Sequence, residues 1–324
     1  CGMSSEDGDA GVILLTIALL ALLVALSEGP ADDFQDQLSA LLFAVTALAT
    51  GGFIAWELHR PDPMIDLRLF ANGRFLAASV VTFIIGAGLY GSTYLLPLFM
   101  QTIVGLKATD SGFLMLPAGL MMAIFFPLAG RLSDQMSART LIFFGTVVFC
   151  LSAALTAQID LQTPLLTIGL WALIGRVGLS FIFPCLNAAA MRPLAMHQLA
   201  QGSGIVNFLR QLGGAFGING LAIFLDQRTS HHVAAMAPAV QQDGVGLYLW
   251  FKELFPTLTQ GGLTDWLELP YEPMAFSMLS RAVWLQGHMV AYQDAFWVIA
   301  GVFVLCLIPV ACMDPRPPMH PVRR

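Results

Sequence analysis

The sequence predicts an all-α fold, a polytopic bundle of membrane helices. Three observations carry this expectation. First, 57% of the 324 residues are hydrophobic and only 11% are charged, whereas an average soluble domain runs near ~45–50% apolar and ~25% charged. So few charges cannot solvate a particle of this size. Second, eight apolar runs approach the ~20 residues that a helix needs to cross ~30 Å of hydrocarbon. Third, the runs are continuous rather than alternating and far longer than the ~10 residues of a barrel strand, so strands are excluded.

Taken in order, residues 1–10 read as a cytoplasmic stub, and helices at 11–27 and 38–56 form a first pair within 11–57. A cytoplasmic linker follows at 58–74. The runs 75–100, 111–130, 139–156, 164–190, 203–225 and 295–313 then make a six-helix bundle over 75–313, with a tail at 314–324. Arg60, Arg68, Arg74, Arg131, Arg139, Arg192, Arg316, Arg323 and Arg324 fall on one side, and the short loops of the other hold only Lys107. Basic residues stay inside, so the Arg-rich side is expected to be cytoplasmic, with both termini on it, in a cell inner (plasma) membrane. The acidic turn at Glu28, Asp32, Asp33 and Asp36 then lies outside.

One connection departs from the rest: 226–294 reads as a long external loop, well beyond ordinary helix connections. Its end, 273–293, reads as an amphipathic helix at the outer interface that runs into the last spanning helix, with Phe276, Leu279 and Val283 on one face and Arg281 and Gln286 elsewhere. Trp250 and Trp266 are candidates to dip into the headgroups. Cys150, Cys185, Cys306 and Cys312 lie in apolar runs, where a thiol acts as a small hydrophobe. The chain opens on Cys1 without a signal-peptide pattern, and it reads as a fragment of a longer chain.

The most specific local signal is the turn from Gly130 to Arg139, which sets Asp134 between Arg131 and Arg139 across a short cytoplasmic connection, with Gly130 expected to allow close helix approach. Such a cluster can pair in one conformation and part in another, and it also satisfies a solvated loop. Gly130, Asp134 and Arg139 resemble the Gly-x-x-x-Asp-(Arg)-x-Gly-Arg-(Arg) loop of the major facilitator superfamily, with Gln135, Ser137 and Thr140 departing from it. Pro63-Met-Ile-Asp-Leu-Arg-Leu-Phe70, Tyr94-Leu-Leu-Pro-Leu-Phe-Met-Gln101, Gly112-Phe-Leu-Met-Leu-Pro117 and Gly204-Ile-Val-Asn-Phe-Leu-Arg-Gln-Leu-Gly-Gly214 resemble the fourteen-helix drug:proton antiporters of that superfamily, the EmrB/QacA type.

That resemblance implies helices seven to fourteen, the first two being the extra central pair and the other six two inverted three-helix repeats. It implies hydrophobic or cationic small-molecule substrates, protons as the coupled ion, and a missing N-terminal half of the same chain as partner. A periplasmic adaptor protein and the lipid bilayer complete the implied partners, with Gly130, Arg131, Asp134 and Arg139 forming a conformational gate.

Charges inside hydrocarbon are costly and point to function. Arg176 lies about 18 Å along its helix from Pro164 at ~1.5 Å per residue, near mid-membrane, so it must face protein or water. Arg210, about two turns from the cytoplasmic end, is placed to snorkel or to pair with a loop. Asn207, Arg210, Gln211 and Gly214 nonetheless share one helix face, a polar stripe that lipid does not tolerate. Gly213 and Gly217 form a small-xxx-small pair on the same helix. Tyr90 and Tyr94 are placed to stack an aromatic or cationic ligand, or, for Tyr94, to join an interfacial belt.

No acidic residue lies mid-span; the nearest are Glu28, Glu57 and Asp226 at helix ends. A proton-coupled pump needs a buried titrating group, so the coupling carboxylates are expected in the absent helices. His231-His232 reads as solvated rather than as a metal pair. No phosphate-binding loop or catalytic cluster stands out, and the longest basic run is Arg323-Arg324. The expectation is therefore a transporter, not an enzyme, without cofactor, metal or nucleic-acid partner; a transport-inactive scaffold or receptor of the same fold is the alternative.

Overall fold

The computed structural model describes residues 5–28, 37–59, 66–133, 135–242 and 271–313. Among these, eight long helices account for most of the described residues and no strand occurs. They are α1 (Ser5–Glu28), α2 (Gln37–His59), α3 (Gly73–Thr102), α4 (Ala108–Ser133), α5 (Ala138–Thr156), α6 (Leu165–Met191), α7 (Leu199–Gln242) and α8 (Tyr271–Ala311). Seven of them are long and apolar enough to cross a membrane, and α1 carries a shorter apolar stretch, Gly11–Ala25. Each of the eight apolar runs lies on its own helix.

Helix ends follow local chemistry. Asn72 caps α3 by accepting from the Arg74 N–H at 3.1 Å, and Ser137 caps α5 by accepting from the Thr140 N–H. Between α5 and α6, Asp160 accepts from the Thr163 hydroxyl at 2.6 Å and the Gln162 N–H at 2.9 Å. The Thr163 hydrogen bond in particular holds its carboxyl below the usual carboxylate range. Gly105 turns the chain out of α3 at φ 76°, a conformation that favours glycine.

The bundle is built around α3, whose Phe75, Ile85, Leu95 and Phe99 are fully buried together with Ile142, Ile182, Tyr292 and Phe303 from other helices. The α3 helix packs along α7, and α6 packs along α4 in the matching relationship, as expected if α3–α5 and α6–α8 are repeats of one another. Glycines set the close contacts. A Cβ at Gly213 would run into the Phe83 carbonyl and one at Gly217 into the Ala87 carbonyl. The first pair, α1 and α2, packs on itself and meets the bundle mainly at α7.

Outward faces are apolar: Leu48 is 77% exposed, Phe113 71% and Ile308 65%. Water would penalise such faces, whereas lipid covers them without cost. The chain is a multi-pass membrane protein.

Helix reaches into two of the spans expected to be without it. Residues 5–10 of the stub are helical, and helix fills both ends of the expected 226–294 loop. The helix expected at 273–293 runs into the last spanning helix in one 41-residue element, which packs along α7. Trp250, Trp266, Asp134, the acidic turn beyond Glu28 and the tail 314–324 lie outside the described residues.

Candidate functional site

The α4–α5 turn is shaped by the residues in which it departs from the superfamily pattern. The Ser137 and Thr140 hydroxyls bond each other at 2.6 Å while Ser137 caps α5. The Gln135 and Met136 N–H groups both bond the Leu132 carbonyl, at 3.0 and 2.8 Å. Arg131 is exposed and Arg139 half-buried. Gly130 does not mediate a close approach: a Cβ there would meet nothing within 4 Å, because α4 and α5 scarcely touch.

The polar residues of α3, α6 and α7 converge on one face. From α6, Arg176 donates to the Thr93 hydroxyl of α3 at 2.8 Å, and Thr93 in turn donates to the Leu89 carbonyl at 2.6 Å. Arg176 borders a cleft of about 410 Å³, measured with its open mouth, between α3, α4, α5, α6 and α8. Ser92, Ser152 and Thr156 supply its hydroxyls, and Met115, Phe149 and Phe296 its apolar walls.

Two turns further along α6, Phe183 lies under the Arg210 guanidinium at 5.7 Å. Arg210 also hydrogen-bonds Asn207 on its own helix. Within the bundle, an amide oxygen one turn back and an aromatic face thus flank it. Asn207 and Gln211 are exposed on the same helix, while Gly214 is buried against the Tyr90 ring. Tyr90 remains 37% exposed, but Tyr94 is half-buried against the core, so the two tyrosines do not form one open pair. The face thus gathers Tyr90, Thr93, Arg176, Asn207, Arg210 and Gln211.

Sequence reasoning missed two features. His232 is not solvated: its Nε2 sits 2.8 Å from Asp294 Oδ2, and Arg228 Nη2 reaches the same oxygen at 2.6 Å. The available signal was the i, i+4 spacing of Arg228 and His232. Glu57 is not merely at a helix end but is 3% exposed, and neither carboxylate oxygen has a hydrogen-bond partner among the described residues. No group of three or more His, Cys, Asp or Glu side chains is placed to hold a metal among the described residues.

The Major Facilitator Superfamily model matches residues 9–218. The chain is 31% identical over 70% of its length to an uncharacterized MFS-type transporter, YhcA, of Bacillus subtilis, covering 43% of that protein. It is 28% identical to a multidrug resistance protein B homolog of Mycobacterium tuberculosis over 98% of this chain and 57% of that one. It is also 24% identical to the multidrug export protein EmrB of Escherichia coli K12 over 92% of this chain and 56% of that one. The chain thus spans about half the length of the curated relatives it matches.

Among solved structures, a bacterial homolog of the human lysosomal transporter Spinster, inward-facing and unoccupied, aligns with a TM-score of 0.50 at 12% identity, over 86% of this chain and 62% of that one. This is a likeness of fold. With the superfamily model covering well over half of the residues and a helical membrane bundle of matching fold, the chain belongs to the major facilitator superfamily.

Proposed function

We propose that the chain is the C-terminal part, helices seven to fourteen, of a secondary multidrug exporter that exchanges protons for hydrophobic, often cationic compounds by alternating access. It sits in the inner membrane with both termini cytoplasmic. The observation that carries this reading is the polar face of α3, α6 and α7: lipid does not accept Asn207, Gln211 and two guanidinium groups, so a second half or a water-filled path covers them. The printed names of the relatives, multidrug export and multidrug resistance proteins, support the substrate class.

On this reading the turn carrying Gly130, Arg131, Asp134 and Arg139 helps to hold the cytoplasmic gate. The proton-carrying carboxylates come from the N-terminal half. The test is dye uptake into inverted membrane vesicles containing the full-length protein, with an imposed proton gradient and ethidium as substrate. Gradient-dependent ethidium uptake above that of empty vesicles is expected. Dye binding without gradient-dependent uptake would instead assign the fold to a scaffold or receptor.

A further inference from the structure

Along the contact between α1 and α2, one acid interrupts an apolar seam. Ala49, Phe53 and Glu57 of α2 follow one another at a spacing of four and all three are buried, which puts them on one stripe of the helix. Facing them, α1 buries Ala18, Ala21 and Ala25. Its Leu14 lies against Gly52, where a Cβ would meet the leucine side chain at 3.7 Å. Apolar residues of the stripe thus meet apolar residues, whereas Glu57 meets Gly11.

At Gly11 the backbone of α1 comes so near that a Cβ would stand 3.2 Å from Glu57 Oε1. The glycine leaves a cradle for the carboxyl that a side chain would crowd. Yet neither carboxyl oxygen has a hydrogen-bond partner among the described residues. A buried polar group without a partner marks strain, a functional role or a small ligand.

No guanidinium, ammonium or imidazole bonds this carboxyl among the described residues. His59, two residues on, is exposed and turns its Nδ1 to the Ala55 carbonyl of its own helix at 2.8 Å. On α7, which α1 also meets, Arg210 lies over the Phe183 ring and bonds Asn207, and Arg228 bonds Asp294. The sequence of α1 just before Gly11 holds Glu6, Asp7 and Asp9, which add negative charge rather than balance it.

A carboxylate buried with neither counter-charge nor hydrogen bond neutralises by taking a proton or draws water in. Glu57 lies in a segment apolar enough to cross a membrane, Ala40–His59, where an ionisable residue points to function. Its path to water is short. Leu58 and His59 are exposed, within about 3 Å along the helix axis at ~1.5 Å per residue.

We propose that Glu57 is a proton-binding site outside the six-helix bundle, and that its charge sets how α1 packs on α2. With the proton bound, one carboxyl oxygen carries an O–H and the seam closes as in the structure. When that O–H bond breaks and the proton passes to water at the helix end, the carboxylate draws water between Gly11 and Glu57. That end of the seam then opens. The site uses none of the polar face of α3, α6 and α7, so it stands independently of the exporter reading.

The test treats the purified full-length protein in lipid nanodiscs with two carbodiimides, a lipid-soluble naphthyl reagent and a water-soluble one. Both attack the acid form of a carboxyl, and peptide mass spectrometry locates the adducts. At neutral pH, where ordinary carboxyls are ionised, the lipid-soluble reagent should label Glu57 about tenfold more than the exposed Asp110 and Asp160. The water-soluble reagent should label Glu57 less than either aspartate.

Amide hydrogen exchange at residues 11–15 and 53–58, corrected for its intrinsic pH dependence, follows the seam itself. Between about pH 6 and about pH 9 the wild type should lose about tenfold in protection, while Glu57→Gln should change by less than about twofold. Glu57→Met is neutral as well and should behave like Glu57→Gln, so a failure of one variant to fold leaves the other decisive. Absence of the Glu57 adduct, or equal labelling by both reagents, would overturn the proposal. Exchange that is flat with pH in the wild type, or that varies equally in the neutral variants, would do the same. Protection of Glu57 from the reagent by sodium at fixed pH would assign the carboxylate to a metal cation and also overturn it.

Discussion

Arg228 on α7 grips Asp294 on α8 through two nitrogens of one guanidinium, Nη2 at 2.6 Å and Nε at 2.8 Å from the same carboxylate oxygen. His232 adds a third contact to that oxygen at 2.8 Å, and nearly two turns before Asp294 on α8, His288 meets the Thr229 hydroxyl at 2.9 Å. These polar contacts join the extensions of α7 and α8 beyond their most apolar parts.

Asp294→Asn should loosen this junction without unfolding the bundle. Both side chains are partly exposed, at 39% for Arg228 and 26% for Asp294, so solvent screening limits the loss to about 1 kcal/mol. A fall of a few degrees in the apparent melting temperature in nanodiscs is the expected result. A double-mutant cycle with Arg228→Gln should give a coupling of the same size and sign. Full additivity of the two changes would mean that the pair contributes nothing.

Gly217→Val should be far more damaging. Its branched side chain must enter where the Ala87 carbonyl already lies, and backbone cannot yield as a flexible side-chain tip does. Loss of most monodisperse protein in size-exclusion chromatography is expected. Gly204→Ala, at a site with nothing within 4 Å of an added Cβ, serves as the control and should behave as wild type. Equal behaviour of the two variants would contradict the α3–α7 packing.

What the sequence could disclose, and what it could not, divides along physical lines. Spanning segments were legible because burial in lipid demands continuous apolar length, and each expected run sits on its own helix. The α7 and α8 extensions were not, because Asp294 lies more than sixty positions along the chain from Arg228 and His232, and each alone looks like a solvated loop residue. The polar stripe of Asn207, Arg210 and Gln211 was visible from helical spacing, but the Phe183 ring under Arg210 lies on another helix. Thr93, the partner of Arg176, was hidden for the same reason. Gly130 misled because its position in a motif suggested a contact, whereas only three-dimensional packing decides which glycines are crowded.

That correction separates two roles for the α4–α5 turn. Gly130→Ala has open space for the new methyl group, and alanine is favoured over glycine inside a helix by about 0.5–1 kcal/mol. The melting temperature should hold or rise slightly. Ser137→Ala, which removes the α5 cap, should cost about 1 kcal/mol instead. If Gly130→Ala is stable yet abolishes ethidium transport, the glycine matters for movement between conformations; unchanged transport removes it from the gate.

The buried carboxylate of Glu57 gives the last prediction. It is 3% exposed, and the close approach of Gly11, where a Cβ would lie 3.2 Å from Oε1, packs α1 directly over it. A buried polar group without a hydrogen-bond partner costs roughly 1–3 kcal/mol, and more when charged. The penalty disappears when the group is replaced by an apolar one of similar shape. Glu57→Met keeps the length and flexibility of the side chain and removes both oxygens, while Glu57→Gln keeps the polar end and removes the charge. Thermal denaturation in nanodiscs at neutral pH should therefore rank Met above Gln and Gln above wild type, with Met gaining about 1–3 kcal/mol. The reverse ranking, with Met the least stable, would show that the carboxylate is bonded in the folded protein and would make Glu57 a polar anchor between α1 and α2 rather than a cost to their packing.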